Sequence, residues 1–286
     1  MTLYLGCAVW AYDGWIGNFY PPQAPKSTLL QLYSQRLTAL EGNTTFYAVP
    51  SPATVQRWQR ETPPDFRFCL KFPQTISHQG LLCPHITEAQ QFLERLHPLG
   101  QKLGMVFLQL PPTYGPGNLE DLHQFLAVLA DFPVPLAVEV RHRDWWSAPL
   151  WEQWHTQRQN LGVSQVILDT RPIYNCPDDP QQHSQRRKPN VPVVLPAVTP
   201  ERPLLVRFIS HPQPQWNQPY LQQWQTYLER ALALGQTVYF FVHCPQEQYS
   251  PFTARAFYHQ LQQKGLALPS LPWDQLPQEP QQLSLF

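Results

Sequence analysis

Residues 105–141 read MVFLQLPPTYGPGNLEDLHQFLAVLADFPVPLAVEVR. An apolar run at 105–110 passes through a Pro- and Gly-rich turn into an amphipathic stretch at 119–129. A second apolar run follows at 136–141. Short runs that are almost continuously apolar suit strands covered on both faces. The amphipathic stretch between them suits a helix, so the unit is strand–helix–strand with parallel strands.

The same alternation extends in both directions. Towards the N-terminus lie apolar runs at 3–9, 40–46 and 67–72, with amphipathic stretches at 27–37, 53–60 and 87–96. Towards the C-terminus lie runs at 165–169, 204–209 and 238–243, with stretches at 150–161, 220–234 and 251–263. Ser27 and Thr87 suit helix N-caps, and Glu88 suits the first turn after Thr87. Gly100, Gly162, Gly235 and Gly265 fall where helices should stop. Eight strands with seven helices predict a single α/β domain, a closed (β/α)8 TIM-type barrel lacking one helix. The chain of 286 residues is of the length such a barrel needs, typically about 250 residues.

The missing helix falls between strands six and seven. Residues 171–203 are irregular and Pro-rich and carry the basic cluster Arg186, Arg187 and Lys188. A long loop without secondary structure reads either as a lid over a site or as a disordered insert. As a lid it lies over the site rim, with the basic cluster in solvent. The barrel is predicted over 1–266, and 267–286 form an extended, flexible Pro/Gln-rich tail.

Lys+Arg and Asp+Glu both total 20, giving zero formal net charge. That balance does not point to general affinity for nucleic acid or anionic membrane. Charged residues are 14% and prolines number 33, while 43% of residues are hydrophobic, which reads as a proline-punctuated globular protein. The start, MTLYLGCAVW, lacks the basic segment of a secretion signal, and no apolar run is long enough to span a membrane. Five cysteines without a CxxC motif suit reduced thiols and a cytoplasmic location. No nucleotide-cofactor motif occurs.

Chemistry in such a barrel gathers at the C-terminal strand ends. Those ends supply Trp10, Glu41, Asn43, Tyr47, Lys71, His78, Gln109, Glu139, Arg141, His142, Trp145, Asp169, Arg207, His211 and His243. Residues two apart on a strand share a face, which pairs Glu41 with Asn43 and Glu139 with Arg141. Glu139, Asp169, Glu41 and His243 are candidates for acid, base or metal-ligand roles. Lys71, Arg141 and Arg207 suit a phosphate or carboxylate. The remainder are candidate substrate contacts. The bland alternative makes Glu139–Arg141, Lys71 and Arg207 structural ion pairs. His78, His211 and His243 have no metalloenzyme spacing, and a divalent metal would require them to converge.

Several stretches taken together resemble a known family. They are GCAVWAYDGWIGNFYPP (6–22), EGNTTFYAVPSPATVQRW (41–58), TPPDFRFCLKFPQTISH (62–78), QLPP (109–112), AVEVRHRDW (137–145) and LVRFISH (205–211). In this order they identify the chain, over roughly 3–263, as similar to the YecE-like domain-of-unknown-function family. The resemblance implies a TIM-type barrel and no particular reaction. Two departures stand out. Ser210-His211 replaces the family's frequent His-Gly, and FFVHCP (240–245) puts His243 and Cys244 where asparagines are frequent, which implies His243 as a substitute polar ligand.

The chain ends QLSLF. Gln282, Leu283, Ser284, Leu285 and Phe286 resemble the pentapeptide that binds the bacterial DNA sliding clamp, matching it at all five positions. An extended apolar peptide gains about 1.5–3 kcal/mol for each large side chain that it buries in a groove. The expected function is an enzyme of hydrolase type, phosphodiesterase- or glycosidase-like. Its substrate is a small or oligomeric anion, phosphoryl- or sugar-containing or derived from nucleic acid, and the tail recruits the enzyme to the clamp in replication or repair. The alternatives are a non-catalytic ligand-binding or accessory module, and a glycosidase-like hydrolase unrelated to DNA.

Overall fold

The computed structural model describes residues 2–184 and 187–277. Its eight strands close into one barrel in chain order, each paired in parallel with its neighbours. They are β1 (Thr2–Cys7), β2 (Ala39–Gly42), β3 (Arg67–Lys71), β4 (Leu103–Gln109), β5 (Leu136–Glu139), β6 (Ser164–Asp169), β7 (Leu204–Ile209) and β8 (Thr237–His243). The ladder between β8 and β1 runs from Thr2 opposite Thr237 to Cys7 opposite Val242 and closes the ring.

Helices α1 (Leu29–Ser34), α2 (Pro52–Glu61), α3 (Ile86–Leu96), α4 (Leu119–Leu129) and α5 (Leu150–Asn160) follow the first five strands in turn. Helices α6 (Gln218–Ala233) and α7 (Ser250–Gln263) follow β7 and β8. Among the described residues between β6 and β7 there is only the single helical turn Arg171–Tyr174, so the missing helix lies where the sequence places it.

Strand alternation divides the core in two. Leu5, Leu40, Phe68, Leu70, Val106, Leu108, Val138, Ile167, Val206, Phe208, Phe240 and Val242 pack outward against the helices. Ala39, Cys69, Met105, Phe107, Ala137, Val166, Leu205, Tyr239 and Phe241 fill the barrel interior. Gly6 lets β1 approach β2, since a Cβ there would lie 2.0 Å from the Ala39 carbonyl oxygen. One step above Ala39, Cys69, Phe107, Ala137, Leu205 and Phe241 the same faces carry Glu41, Lys71, Gln109, Glu139, Arg207 and His243, all buried. The barrel is therefore apolar through its middle and polar at its C-terminal mouth.

Three elements differ from expectation. The second strand is shorter than 40–46. It stops at Gly42, and Thr44–Tyr47 forms a helical turn in which the Thr45 hydroxyl donates to the carbonyls of Gly42 and Lys71. Residues 267–277 are not a loose tail. Leu271 is fully buried, Trp273 packs edge-on to Phe19, and Asp274 accepts from Arg255. The stretch covers apolar surface that α7 and the first loop would otherwise expose.

The Pro-rich segment also packs. Val191 joins Leu168, Ile173 and Ile209 in a small cluster at the rim. Thr170 donates to the Pro189 carbonyl and Tyr174 to that of Lys188. Arg187 is exposed and paired with Asp179. Lys188, expected in solvent, is only partly exposed. The tether from Tyr174 turns its ammonium towards the barrel mouth, within electrostatic range of Arg207, Glu41, Arg141 and Glu247. Arg186 lies outside the described residues.

Candidate functional site

Arg207 organises the mouth. Its Nε and Nη2 donate to the two oxygens of Glu41 at 3.0 and 2.7 Å, a fork-on-fork pair. Its Nη1 donates to Glu139 at 2.5 Å and to Gln109 at 3.3 Å. Arg141 reaches in from beyond β5, donating from Nε to Glu139 at 2.5 Å and from Nη2 to Gln109 at 2.7 Å. The Phe107 ring lies beneath the Arg207 guanidinium, its centroid 5.6 Å away. These contacts fix both guanidinium groups across four strands.

Glu41 is saturated. Besides Arg207 it accepts from Asn43 at 2.8 Å and from His243 Nε2 at 2.8 Å, which fills about four acceptor positions on one carboxylate. Burial pushes its carboxyl up, but Arg207 and His243 outweigh this and hold it well below the usual range. Burial likewise opposes the effect of Arg141 and Arg207 on Glu139, which they hold down at about 2. Both carboxylates are thus fixed anions that anchor the arginines and have no proton to donate at neutral pH.

Two nitrogen groups in this layer are less fully engaged. His243 donates through Nε2, and its buried Nδ1 has no hydrogen-bond partner among the described residues. Burial pushes His243 down to about 4, which leaves a neutral ring with a bare lone pair. Lys71 forms no hydrogen bond or ion pair among the described residues. Its Nζ sits 3.5 Å from the centroid of the Phe46 ring. Burial, reinforced by Arg207, pushes Lys71 down to about 6. The aromatic support comes from the turn that shortens β2, and Phe46 is flanked edge-on by Tyr47 and His78.

Sequence reasoning missed Glu247 and the inward reach of Lys188. Glu247 sits in the turn before α7 and accepts from Ser250 at 2.6 Å. Burial pushes its carboxyl up to about 7, against the pull of Ser250 and Lys188. Lys188 is pushed down to about 8, first by burial and then by Arg207. Both come from loops, where no strand period marks an inward residue. The signal available was position alone, since Glu247 follows His243 on the face where β–α loops gather.

Asp169 is corrected as a catalytic candidate. It is fully buried and faces the helical layer, where Arg171 forks onto it at 2.9 and 2.7 Å and Trp224 Nε1 donates at 2.8 Å. Its neighbour Leu168 takes the opposite face, in the rim cluster with Ile209. Trp145 is corrected as a substrate contact, because it is fully buried in the outer core with its Nε1 donating to the Tyr114 carbonyl. Trp10 packs edge-on to Trp58, and His142 caps the turn at Asp144 on the surface. His211 is buried and bonded to Asp178 and, among the described residues, makes no bond to the Arg207 network.

The three histidines do not converge on a metal. His78 engages Ser77, His211 engages Asp178 and His243 engages Glu41. Among the described residues one group has ligand spacing, namely Cys176, Asp178 and His211, with ligand atoms within 4.8 Å of one another. Its hydrogen bonds point the other way. His211 Nδ1 accepts from the Gln213 backbone N–H at 3.0 Å, which leaves Nε2 protonated and donating to Asp178. A ligating histidine instead donates its second N–H.

All five cysteines are free. Among the described residues no helix is long and apolar enough to cross a membrane.

Comparison with known proteins places this architecture. The model for "Protein of unknown function DUF72" matches residues 4–278. The chain is 36% identical over 293 aligned positions to the UPF0759 protein YecE of Escherichia coli K12, covering 99% of this chain and 100% of that protein. It is 30% identical to the UPF0759 protein YunF of Bacillus subtilis 168, covering 76% of this chain and 73% of that one. A crystal structure of a DUF72 family protein from Thermotoga maritima MSB8 superposes with a TM-score of 0.65 at 20% identity, covering 92% of this chain and 100% of that chain. With a barrel closed in the same fold and a family match along almost its whole length, the chain belongs to the DUF72 family.

Proposed function

We propose that the barrel is an enzyme acting on a small anionic substrate, phosphoryl- or sugar-containing, at its C-terminal mouth. One observation carries this reading. Glu41 and Glu139 are consumed by Arg207 and Arg141, while donors without a partner among the described residues remain beside them. These are Lys71 Nζ and Arg141 Nη1, for which no bond is recorded among the described residues. Lys188 adds a cation beside Arg141. An anion placed among these groups relieves the mutual repulsion that Arg207 exerts on Lys71 and Lys188. Lys71 and Glu247, at about 6 and about 7, lie where acid–base groups work at neutral pH. Glycosidase chemistry on Glu41 and Glu139 is disfavoured, because neither has a proton to give.

Inorganic phosphate, titrated at constant ionic strength against chloride, is expected to raise the melting temperature of the whole chain. At a hundredfold excess over its Kd a single-site ligand adds about 2.7 kcal/mol. Arg141→Ala is expected to abolish most of that shift. Equal shifts in the two proteins, or none in either, would sink the reading.

We further propose recruitment to the DNA sliding clamp through Gln282 to Phe286, which lie outside the described residues. Support comes from the five-position match and from the placement of the peptide beyond Leu276, the last residue of the packed C-terminal turn. Nucleic-acid-derived anions then join the substrate class. A chain truncated before Gln282 is expected to melt like the full chain and to lose clamp affinity. Absence of clamp binding by the full chain at tens of micromolar, where typical groove peptides at about −6 to −8 kcal/mol are detected, removes the proposal.

A further inference from the structure

We propose that Lys71 is a covalent catalytic residue that forms an imine with small anionic carbonyl compounds such as 2-oxo acids and related aldehydes. This deepens the reading above and rests on it, since the mouth is what selects the anion.

A structural lysine in a buried layer pairs with a carboxylate. Here Glu41 and Glu139 lie in the same layer, yet both are committed to arginines, and Lys71 has neither as a partner. Its nitrogen instead rests on the Phe46 ring, with 5% of the residue exposed. An amine on an apolar floor beside two guanidinium groups loses its proton readily, and the neutral form is the nucleophile. A desolvated lysine next to another cation is one established way to activate this group.

The surroundings supply the other requirements. Arg141 has a side chain 14% exposed and an Nη1 without a bond among the described residues, which suits the carboxylate of a 2-oxo acid. The Lys71 lone pair attacks the carbonyl carbon, and a proton passes from nitrogen to the resulting oxyanion. The carbinolamine then takes one proton from solvent and loses its hydroxyl as water, leaving a protonated carbon–nitrogen double bond, and no oxidant or reductant is consumed. A positively charged imine beside the substrate carboxylate withdraws electrons from the adjacent carbon, which is the chemistry that breaks or makes bonds there.

The test uses the full chain, glyoxylate as probe and sodium cyanoborohydride as trap at pH 7. Hydride reduces the imine and leaves a carboxymethyl group on nitrogen, located by peptide mass spectrometry. Lys71 is expected to be labelled in preference to the exposed Lys26 and Lys264 by at least about tenfold, since an ordinary lysine is unprotonated in roughly one molecule in a few thousand at that pH. Lys71→Met is expected to melt no lower than the parent chain and to lose the preferential label. Labelling spread evenly over the lysines, or absent from Lys71, overturns the proposal.

Two further arms separate this inference from the reading beneath it. A phosphate-induced melting shift without Lys71 labelling leaves the anion site standing and removes the imine. Labelling of Lys71 by formaldehyde but not by glyoxylate shows a reactive amine and removes the anion site, and with it the substrate class proposed here.

Discussion

Replacing Arg207 by methionine is expected to cost about 3–5 kcal/mol, the range for removing one partner of a buried ion pair. The melting temperature should fall on the order of 10 °C, since 1 kcal/mol moves a chain of this size by about 2–4 °C. Methionine fills the space above Phe107 but leaves Glu41 and Glu139 buried without their shared cation. The deficit should depend on pH in a definite direction. In the parent chain both carboxyls are held below their unfolded values, so their contribution is present above the unfolded carboxyl range and is lost as pH falls through the folded values. His243 acts in the same sense, its contribution fading as pH drops from about 6.5 towards about 4. In the variant Glu41 is stranded, so its carboxyl is raised and prefers its proton, while Glu139 keeps Arg141. The variant's stability is then greatest in acid and declines as pH rises towards neutrality. Melting curves from pH 4.5 to 7.5 should therefore converge at the acid end. A parallel offset at every pH would show that packing, and not charge, is what Arg207 supplies.

The barrel was legible because each strand is apolar on both faces and each helix on one. The mouth was legible where a charged residue interrupts such a strand. Glu41 with Asn43 and Glu139 with Arg141 were paired by the two-residue period, and both pairs are bonded in the structure. Asp169 shows the limit of that reasoning. It ends a strand as Glu139 does, and Val166 to Leu168 before it are apolar at every step just as Leu136 to Val138 are before Glu139, so the sequence does not say which parity faces inward. Position at a strand end is common to both residues, and only the barrel register separates them.

Residues on loops carry less still. Lys188 reads as one of three consecutive basic residues, and nothing in that run distinguishes the one whose ammonium turns inward. The turn comes from the Tyr174 hydroxyl and Gln181 side chain gripping the backbone on either side of it. Residues 267–277 were read as a tail because prolines interrupt them. Proline excludes a long helix but not a packed turn, and Leu271 and Trp273 find surface left open by Phe19 and Phe252.

Glu139→Gln separates an anchoring carboxylate from a catalytic one. A catalytic Glu139 would tolerate the amide without loss of folding. The geometry instead gives it Arg207 on one oxygen and Arg141 on the other, so the amide turns an NH2 group towards a donor at one of those positions. The expected cost is about 3 kcal/mol at pH 7, the lower end for a broken buried pair, because Arg207 keeps Glu41 and water can reach the 14% exposed Arg141. Since Glu139 is held at about 2, the gap between parent and variant should be full above about pH 4.5 and should close as pH falls towards the folded value. Losing an anion from the mouth also releases Arg141, so the variant should keep or enlarge its phosphate-induced melting shift. Unchanged melts together with a lost phosphate response are the contrary result. They would place Glu139 in contact with the ligand and take the anchoring role away from it.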